Sequence, residues 1–258
     1  MNNLYHLHIP RTSGTGILYS LQKSFELNNV TKIKNREYGK LVPGIFEFSY
    51  DKEKMKNWPM ISGHFAANPI IENNGQIETF SVIREPIDHF ISIAAYRAMS
   101  ANRKFDKSTL DAFLEGQEDY PFECKLFSFD GNLQTKMLTC RIFSIKQIFG
   151  EHISSKEINE NAMLFVESDM PKTKNKLVNK IKNIKLFEIN QRKEINNYLI
   201  KQCKEKFDCD FWGIDNNKIN SSVRSGVMPS PAQVKEIESR NHMDMELYDY
   251  VMSNGGES

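Results

Sequence analysis

Residues 4–16 constrain this chain more than any other stretch. Leu4-Tyr5-His6-Leu7-His8-Ile9 reads as a short buried strand, and Ile17, Leu18, Leu21 and Phe25 recur at helical spacing in a helix expected from about Thr15 to Leu27. Only a short loop, Pro10 to Gly14, lies between them. A strand that passes so directly into a helix is the start of an alternating α/β fold. The loop itself is built to hold an anion. Gly14 and Gly16 are expected to let the backbone turn tightly and present N–H groups, the hydroxyls of Thr12, Ser13 and Thr15 add donors, and Arg11 adds a fixed positive charge at the positive end of the helix. The nucleoside-triphosphate version of such a loop reads G-x-x-x-x-G-K-S/T. Here the first glycine and the lysine are missing at those spacings, which argues against a standard nucleotide kinase.

Further strands follow the same logic. Met60-Ile61-Ser62-Gly63-His64-Phe65 reads as a short buried strand that places His64 at its end, and Glu78 to Ile83 as a second, stopping at Arg84. Pro86 then suits the first position of a helix whose buried stripe is Ile87, Phe90, Ile91, Ala94 and Ala98. Met163-Leu164-Phe165-Val166 is a third strand candidate, with a polar helix before it at Ser154 to Asn161 and a lysine-rich helix after it from about Pro171 to Ile184. Helices are also expected over Leu110 to Leu114, from Asn132 to Leu138, from Lys193 to Phe207, and finally through Val234, Ile237, Met245, Leu247, Tyr248 and Val251. Residues 28–58 and 101–135 read mostly as connection and surface. The alternation predicts a central parallel sheet flanked by helices, in one domain over residues 1–252 with a disordered tail at 253–258.

Charge and cysteine usage narrow the function classes. With 34 Lys plus Arg against 33 Asp plus Glu there is no global field to attract nucleic acid, so a grip on an anion must be local. The lysine run from Lys172 to Lys185 reads as a solvated helix face. The four cysteines, Cys124, Cys140, Cys203 and Cys209, form no C-x-x-C pair and have no histidine at finger spacing, so they are expected as reduced thiols with no metal site. No apolar run approaches the roughly 18 residues of a membrane span, and the amino terminus lacks a charged leader. The expectation is a soluble cytoplasmic protein without integral membrane association.

Three stretches taken together resemble the sulfotransferases that use 3′-phosphoadenosine 5′-phosphosulfate, in particular the carbohydrate branch that includes heparan sulfate 2-O-sulfotransferases. Ile9-Pro10-Arg11-Thr12-Ser13-Gly14-Thr15 is similar to that family's 5′-phosphosulfate loop, commonly P-K-T-G-G-T or P-K-T-A-S-T. Val82-Ile83-Arg84-Glu85-Pro86-Ile87-Asp88-His89-Phe90-Ile91-Ser92 is similar to its 3′-phosphate motif, usually V-I-R-D/E-P-x-x-R-x-x-S. Ser62-Gly63-His64-Phe65 resembles the G-H segment that carries the catalytic base in the 2-O branch, and Asp244-x-x-Leu247-Tyr248 looks like a recurrent carboxy-terminal helix signature. Two departures stand out: Arg11 replaces the usual lysine, and His89 an arginine.

The resemblance implies a P-loop-type three-layer fold and an in-line transfer of a sulfuryl group from that donor to a hydroxyl of a saccharide, a glycan or a small molecule, leaving adenosine 3′,5′-bisphosphate. It implies that Arg11, Thr12, Ser13, Gly14, Thr15 and Gly16 hold the 5′-phosphosulfate and that Arg84 and Ser92 hold the 3′-phosphate. It also implies that a late polar loop with Ser222 and Arg224 covers the nucleotide. No metal is called for, since Arg11 and the loop amides supply positive field. An acceptor hydroxyl needs a base, and His64 is the residue expected to take its proton. His6 and His8 read as structural. The lack of an apparent anchor suggests a bacterial or viral enzyme rather than a Golgi one. Two rivals remain at this point: a phosphotransferase on the related kinase fold, and a catalytically silent nucleotide- or glycan-binding protein.

Overall fold

The computed structural model describes residues 4–27, 60–64, 66–72, 74–100, 102–115, 131–144, 163–214 and 227–254. They form two compact units, one from residues 1–83 and 182–221 and the other from residues 84–181 and 222–258. The expected helix at Ser154 to Asn161, Cys124, and the loop carrying Ser222 and Arg224 lie outside the described residues.

The first unit is built on a four-stranded, all-parallel sheet in the order β2-β1-β3-β6, with β1 at Leu4–Leu7, β2 at Met60–Gly63, β3 at Glu78–Ile83 and β6 at Ile184–Glu188. His6 pairs with Ser62 on one side and Phe80 on the other, and Val82 pairs with Phe187. Because successive side chains alternate, Leu4, His6, Phe80, Val82 and Phe187 share one face. Helices α1 (Gly14–Leu27) and α7 (Arg192–Phe207) are amphipathic and cover that face. Ile17, Leu21 and Phe25 from α1 join Ile195, Leu199 and Cys203 from α7 in one core with Leu4, Phe80, Val82 and Phe187. Leu21 lies at the heart of this cluster, and truncating it to alanine is expected to cost about 2–5 kcal/mol. On the opposite face Tyr5 donates its hydroxyl to the Ala66 carbonyl (2.9 Å), and Ser81 donates to the Leu7 carbonyl (2.6 Å). A short helix, α2 (Asn68–Glu72), follows β2.

The second unit contains α3 (Pro86–Ser100), α4 (Lys107–Leu114), α5 (Leu133–Thr139), the strands β4 (Ile142–Ser144) and β5 (Met163–Phe165), α6 (Lys174–Ile181), α8 (Pro231–Arg240) and α9 (His242–Asn254). Phe90 and Ala94 of α3 pack with Leu110, Phe113 and Leu114 of α4 and Ile237 of α8. Asp106 caps α4 by accepting from the Thr109 N–H (3.1 Å), and Ser230 and Gln233 form a capping box at the start of α8.

Several expectations need correction. Residues 163–165 are a strand, but β5 pairs antiparallel with β4 in a separate two-stranded ladder instead of entering the parallel sheet. The fourth parallel strand is β6, in a stretch where the lysine run had suggested the end of a helix; α6 stops at Ile181. The last helix is two helices, divided at Asn241, and α9 continues to Asn254. Among the described residues no helix is long and apolar enough to cross a membrane.

Candidate active site

The loop between β1 and α1 is held from several directions. The His8 N–H donates to the Gly63 carbonyl (3.0 Å), tying the exit of β1 to the end of β2, and the Thr12 hydroxyl donates to the Ile9 carbonyl (2.8 Å), closing the turn on itself. Arg11 and Ser13 have φ of 67° and 70°. Left-handed backbone at residues with a Cβ costs about 1–3 kcal/mol each, and such strain clusters at functional loops. Ser13 is followed directly by helical Gly14, and a left-handed residue beside a right-handed one makes successive N–H groups converge into an anion-binding concavity. The N–H groups of Gly14 and Thr15 at the start of α1 add to it, whereas those of Gly16 and Ile17 donate to the Ser13 carbonyl at 3.0 and 3.3 Å.

Positive φ therefore falls on Arg11 and Ser13, not on the glycines expected to provide the turn. Gly14 opens α1, one residue earlier than expected, and it is small for another reason. A Cβ on Gly14 would lie 1.9 Å from Cδ2 and 2.3 Å from Nε2 of His8. The imidazole of His8 thus occupies the space an alanine methyl would need.

His8 is also the link to His64. Their rings lie 4.2 Å apart between centroids, tilted by 31°; His8 also stacks with His6 at 5.6 Å, and His6 stacks on Phe80 at 4.7 Å. His6 Nδ1 makes a 2.8 Å hydrogen bond with the Ser62 hydroxyl. His64 Nδ1 lies 2.5 Å from the backbone carbonyl oxygen of His8. A carbonyl only accepts, so Nδ1 carries the proton and Nε2 is the nitrogen with a lone pair.

Burial sets the protonation of the cluster. It pulls the His64 pKa down to about 4, partly opposed by the bond to the His8 carbonyl. His6 falls to about 3, and His8 lies well below its usual value, through burial first and then repulsion from the neighbouring imidazoles. At neutral pH all three are uncharged. They stack rather than converge, and among the described residues no group of three or more His, Cys, Asp or Glu is arranged to hold a metal ion. The arrangement sets a neutral imidazole of defined tautomer, His64, beside His8, the residue that leads into the β1–α1 loop.

The remaining described candidates belong to the second unit. Arg84 directly follows β3 and precedes α3, where Pro86 occupies the first helical position. Its guanidinium, 18% exposed, lies 3.8 Å from the Asp88 carboxylate, a loose i,i+4 pair worth little to stability. Its backbone N–H donates to Gln134 Oε1 (2.8 Å), and its carbonyl accepts from Gln134 Nε2 (2.9 Å). Ser92 and His89 are buried on α3.

The sequence reading of His6 and His8 as structural did not foresee their packing with His64, and Gln134 was not singled out. The signal for the histidines was present: His6-x-His8 on a strand puts both rings on the same face. Gln134 had no such signal, since nothing local marks it as the partner of a residue 50 positions earlier. Compared with known proteins, the chain matches no family model, no curated protein and no solved structure.

Proposed function

We propose that this chain is a sulfotransferase with a P-loop-type three-layer fold, moving a sulfuryl group from 3′-phosphoadenosine 5′-phosphosulfate to a hydroxyl of a saccharide or glycan. The observation that carries the reading is the coupling of His64 to the anion loop through His8. The carbonyl of His8 orients the base, and its ring packs on both His64 and Gly14.

In the proposed reaction His64 Nε2 takes the proton of the acceptor hydroxyl as its oxygen attacks sulfur. The bond from sulfur to the phosphate oxygen breaks, and adenosine 3′,5′-bisphosphate leaves with the negative charge. As in phosphoryl transfer, the protein mainly aligns the partners and stabilises charge on the leaving group. Arg11 and the loop N–H groups up to Thr15 are assigned to the 5′-phosphosulfate, while the Gly16 N–H donates to the Ser13 carbonyl (3.0 Å) and Gly16 is assigned to the turn. The Thr12 hydroxyl is engaged with Ile9, so Thr12 is assigned to the shape of the loop. Arg84 and Ser92 are assigned to the 3′-phosphate. A low His64 pKa keeps the base unprotonated at neutral pH, at some cost in basicity.

The test has two arms. Binding of adenosine 3′,5′-bisphosphate is compared with binding of ATP, and transfer of radiolabelled sulfate from the donor is assayed across a panel of glycans and small alcohols. Preference for the bisphosphate with label transfer to a hydroxyl acceptor supports the reading; preference for ATP with magnesium-dependent turnover overturns it in favour of a phosphotransferase.

A further inference from the structure

A residue that has just left a sheet still has a backbone N–H and C=O to satisfy. At Arg84 one side chain takes both. Gln134 accepts from the Arg84 N–H at 2.8 Å and donates to the Arg84 carbonyl at 2.9 Å, so its carboxamide stands in for a neighbouring strand at this single residue. Gln134 is 0% exposed. It cannot exchange these bonds for water.

Gln134 is itself fixed. It lies in α5, every residue of which is buried, and the N–H groups of Gln134 and Thr135 donate to the two carboxylate oxygens of Asp244 at 3.1 and 2.7 Å. The capping is reciprocal: Asn132, just before α5, accepts from the N–H groups of Met243 and Asp244 at 2.8 and 3.2 Å, and its own N–H donates to Asn241 Oδ1 at 3.0 Å. Gly131 allows this close approach, since a Cβ there would lie 2.0 Å from the Arg240 carbonyl oxygen. A chain of side-chain to backbone bonds therefore runs from α9 through α5 to the backbone of Arg84.

We propose that Gln134 is a positioning residue for recognition of the donor's 3′-phosphate: it fixes the backbone of Arg84 and thereby the direction of its guanidinium. This rests on the sulfotransferase reading, in which Arg84 binds that phosphate. Only a side chain with a donor and an acceptor side by side satisfies both bonds. Leucine satisfies neither. Ionised glutamate keeps an acceptor for the N–H but sets its second oxygen against the Arg84 carbonyl, whereas the protonated acid regains a donor, so Q134E is read at about pH 9.

The experiment measures dissociation constants for adenosine 3′,5′-bisphosphate and adenosine 5′-monophosphate, whose ratio isolates the 3′-phosphate. It compares the wild type, R84A, Q134L, Q134E and the double variants with R84A. Wild type is expected to prefer the bisphosphate by roughly tenfold to a hundredfold, the increment of charge-assisted hydrogen bonds. Q134L and Q134E are each expected to lose most of that ratio while binding the monophosphate as before, and neither is expected to change it further once R84A is present. If Q134L does not fold, Q134E carries the comparison. If the wild type does not discriminate, the sulfotransferase reading falls and this inference falls with it. If R84A abolishes discrimination while Q134L and Q134E retain it, the positioning role alone is overturned.

Discussion

His64 donates its Nδ1 proton to the backbone carbonyl of His8 at 2.5 Å, and the same His8 places its ring against both His64 and Gly14. The tautomer of His64 and the packing at the start of α1 thus both depend on one residue.

Burial of His64 sets the pH dependence expected of the proposed transfer. A histidine at its ordinary value would lose activity below about pH 6.5. With His64 lowered to about 4, kcat/KM is expected to stay level from pH 8 to about pH 5 and to fall only below that. The apparent pKa belongs to the His6, His8 and His64 cluster as a whole. A pH–rate profile with its acid limb centred near 6.5 contradicts this.

Gly14→Ala tests the packing of His8. Alanine is the better helix former by about 1 kcal/mol, but its Cβ would run into the His8 imidazole, and forcing extra volume into a packed site costs about 1–3 kcal/mol. A lower Tm and reduced activity are expected from the single variant. In the His8→Ala background the clash is gone, so the same substitution should be neutral or stabilising in thermal melts. Equal destabilisation in both backgrounds would place the cause elsewhere.

Much of the sheet was legible because its signals are local. In β3 the alternation of Glu78 to Ile83 ends at Arg84, and Pro86 announces the next helix, so both boundaries could be read. In β6 the lysine run concealed a strand: Lys185 points to the same face as Phe187 and lies over its ring at 5.7 Å, which lets a lysine occupy a position that hydropathy alone would give to a helix surface. The break at Asn241 was hidden for a similar reason. Its side chain donates to the Ile237 carbonyl and accepts from the Asn132 N–H, and the second of those partners is distant in sequence. The three motifs of the candidate site could be found because each sits where a strand gives way to a loop; the packing of His8 on His64 could not, because it depends on β1 and β2 being neighbours.

Stability should respond to acid in two opposing ways. The unfolded chain protonates its histidines near pH 6.5, whereas folded His6 resists until about pH 3, so its contribution is complete above 6.5 and is lost as pH falls toward 3, by about 1.4 kcal/mol per pH unit for one proton. Asp244 acts the other way. Burial raises its carboxyl to about 6, so its contribution is present below about pH 3.8 and is lost as pH rises through 6. Urea unfolding across pH 4–7 is expected to show a shallower acid decline in His6→Asn and a steeper one in Asp244→Asn. The same decline in both variants would contradict these assignments.

Cys140, Cys203 and Cys209 are buried, and burial raises each thiol, Cys203 to about 12. The thiolate is the reactive form, so peptides containing these residues should stay largely unmodified when the native protein meets iodoacetamide at pH 8 and should react once urea unfolds the chain. Rapid native-state alkylation of Cys203, read by mass spectrometry, contradicts its buried environment.

The most direct test of the account is single-turnover transfer of radiolabelled sulfate from 3′-phosphoadenosine 5′-phosphosulfate to a hydroxyl acceptor, measured for the wild type beside His64→Ala. The predicted result is transfer by the wild type and a loss of roughly a hundred- to ten-thousand-fold in the variant, with binding of adenosine 3′,5′-bisphosphate unchanged. Equal rates in the two proteins, or no transfer by a wild type that binds ATP in preference to the bisphosphate, would contradict it.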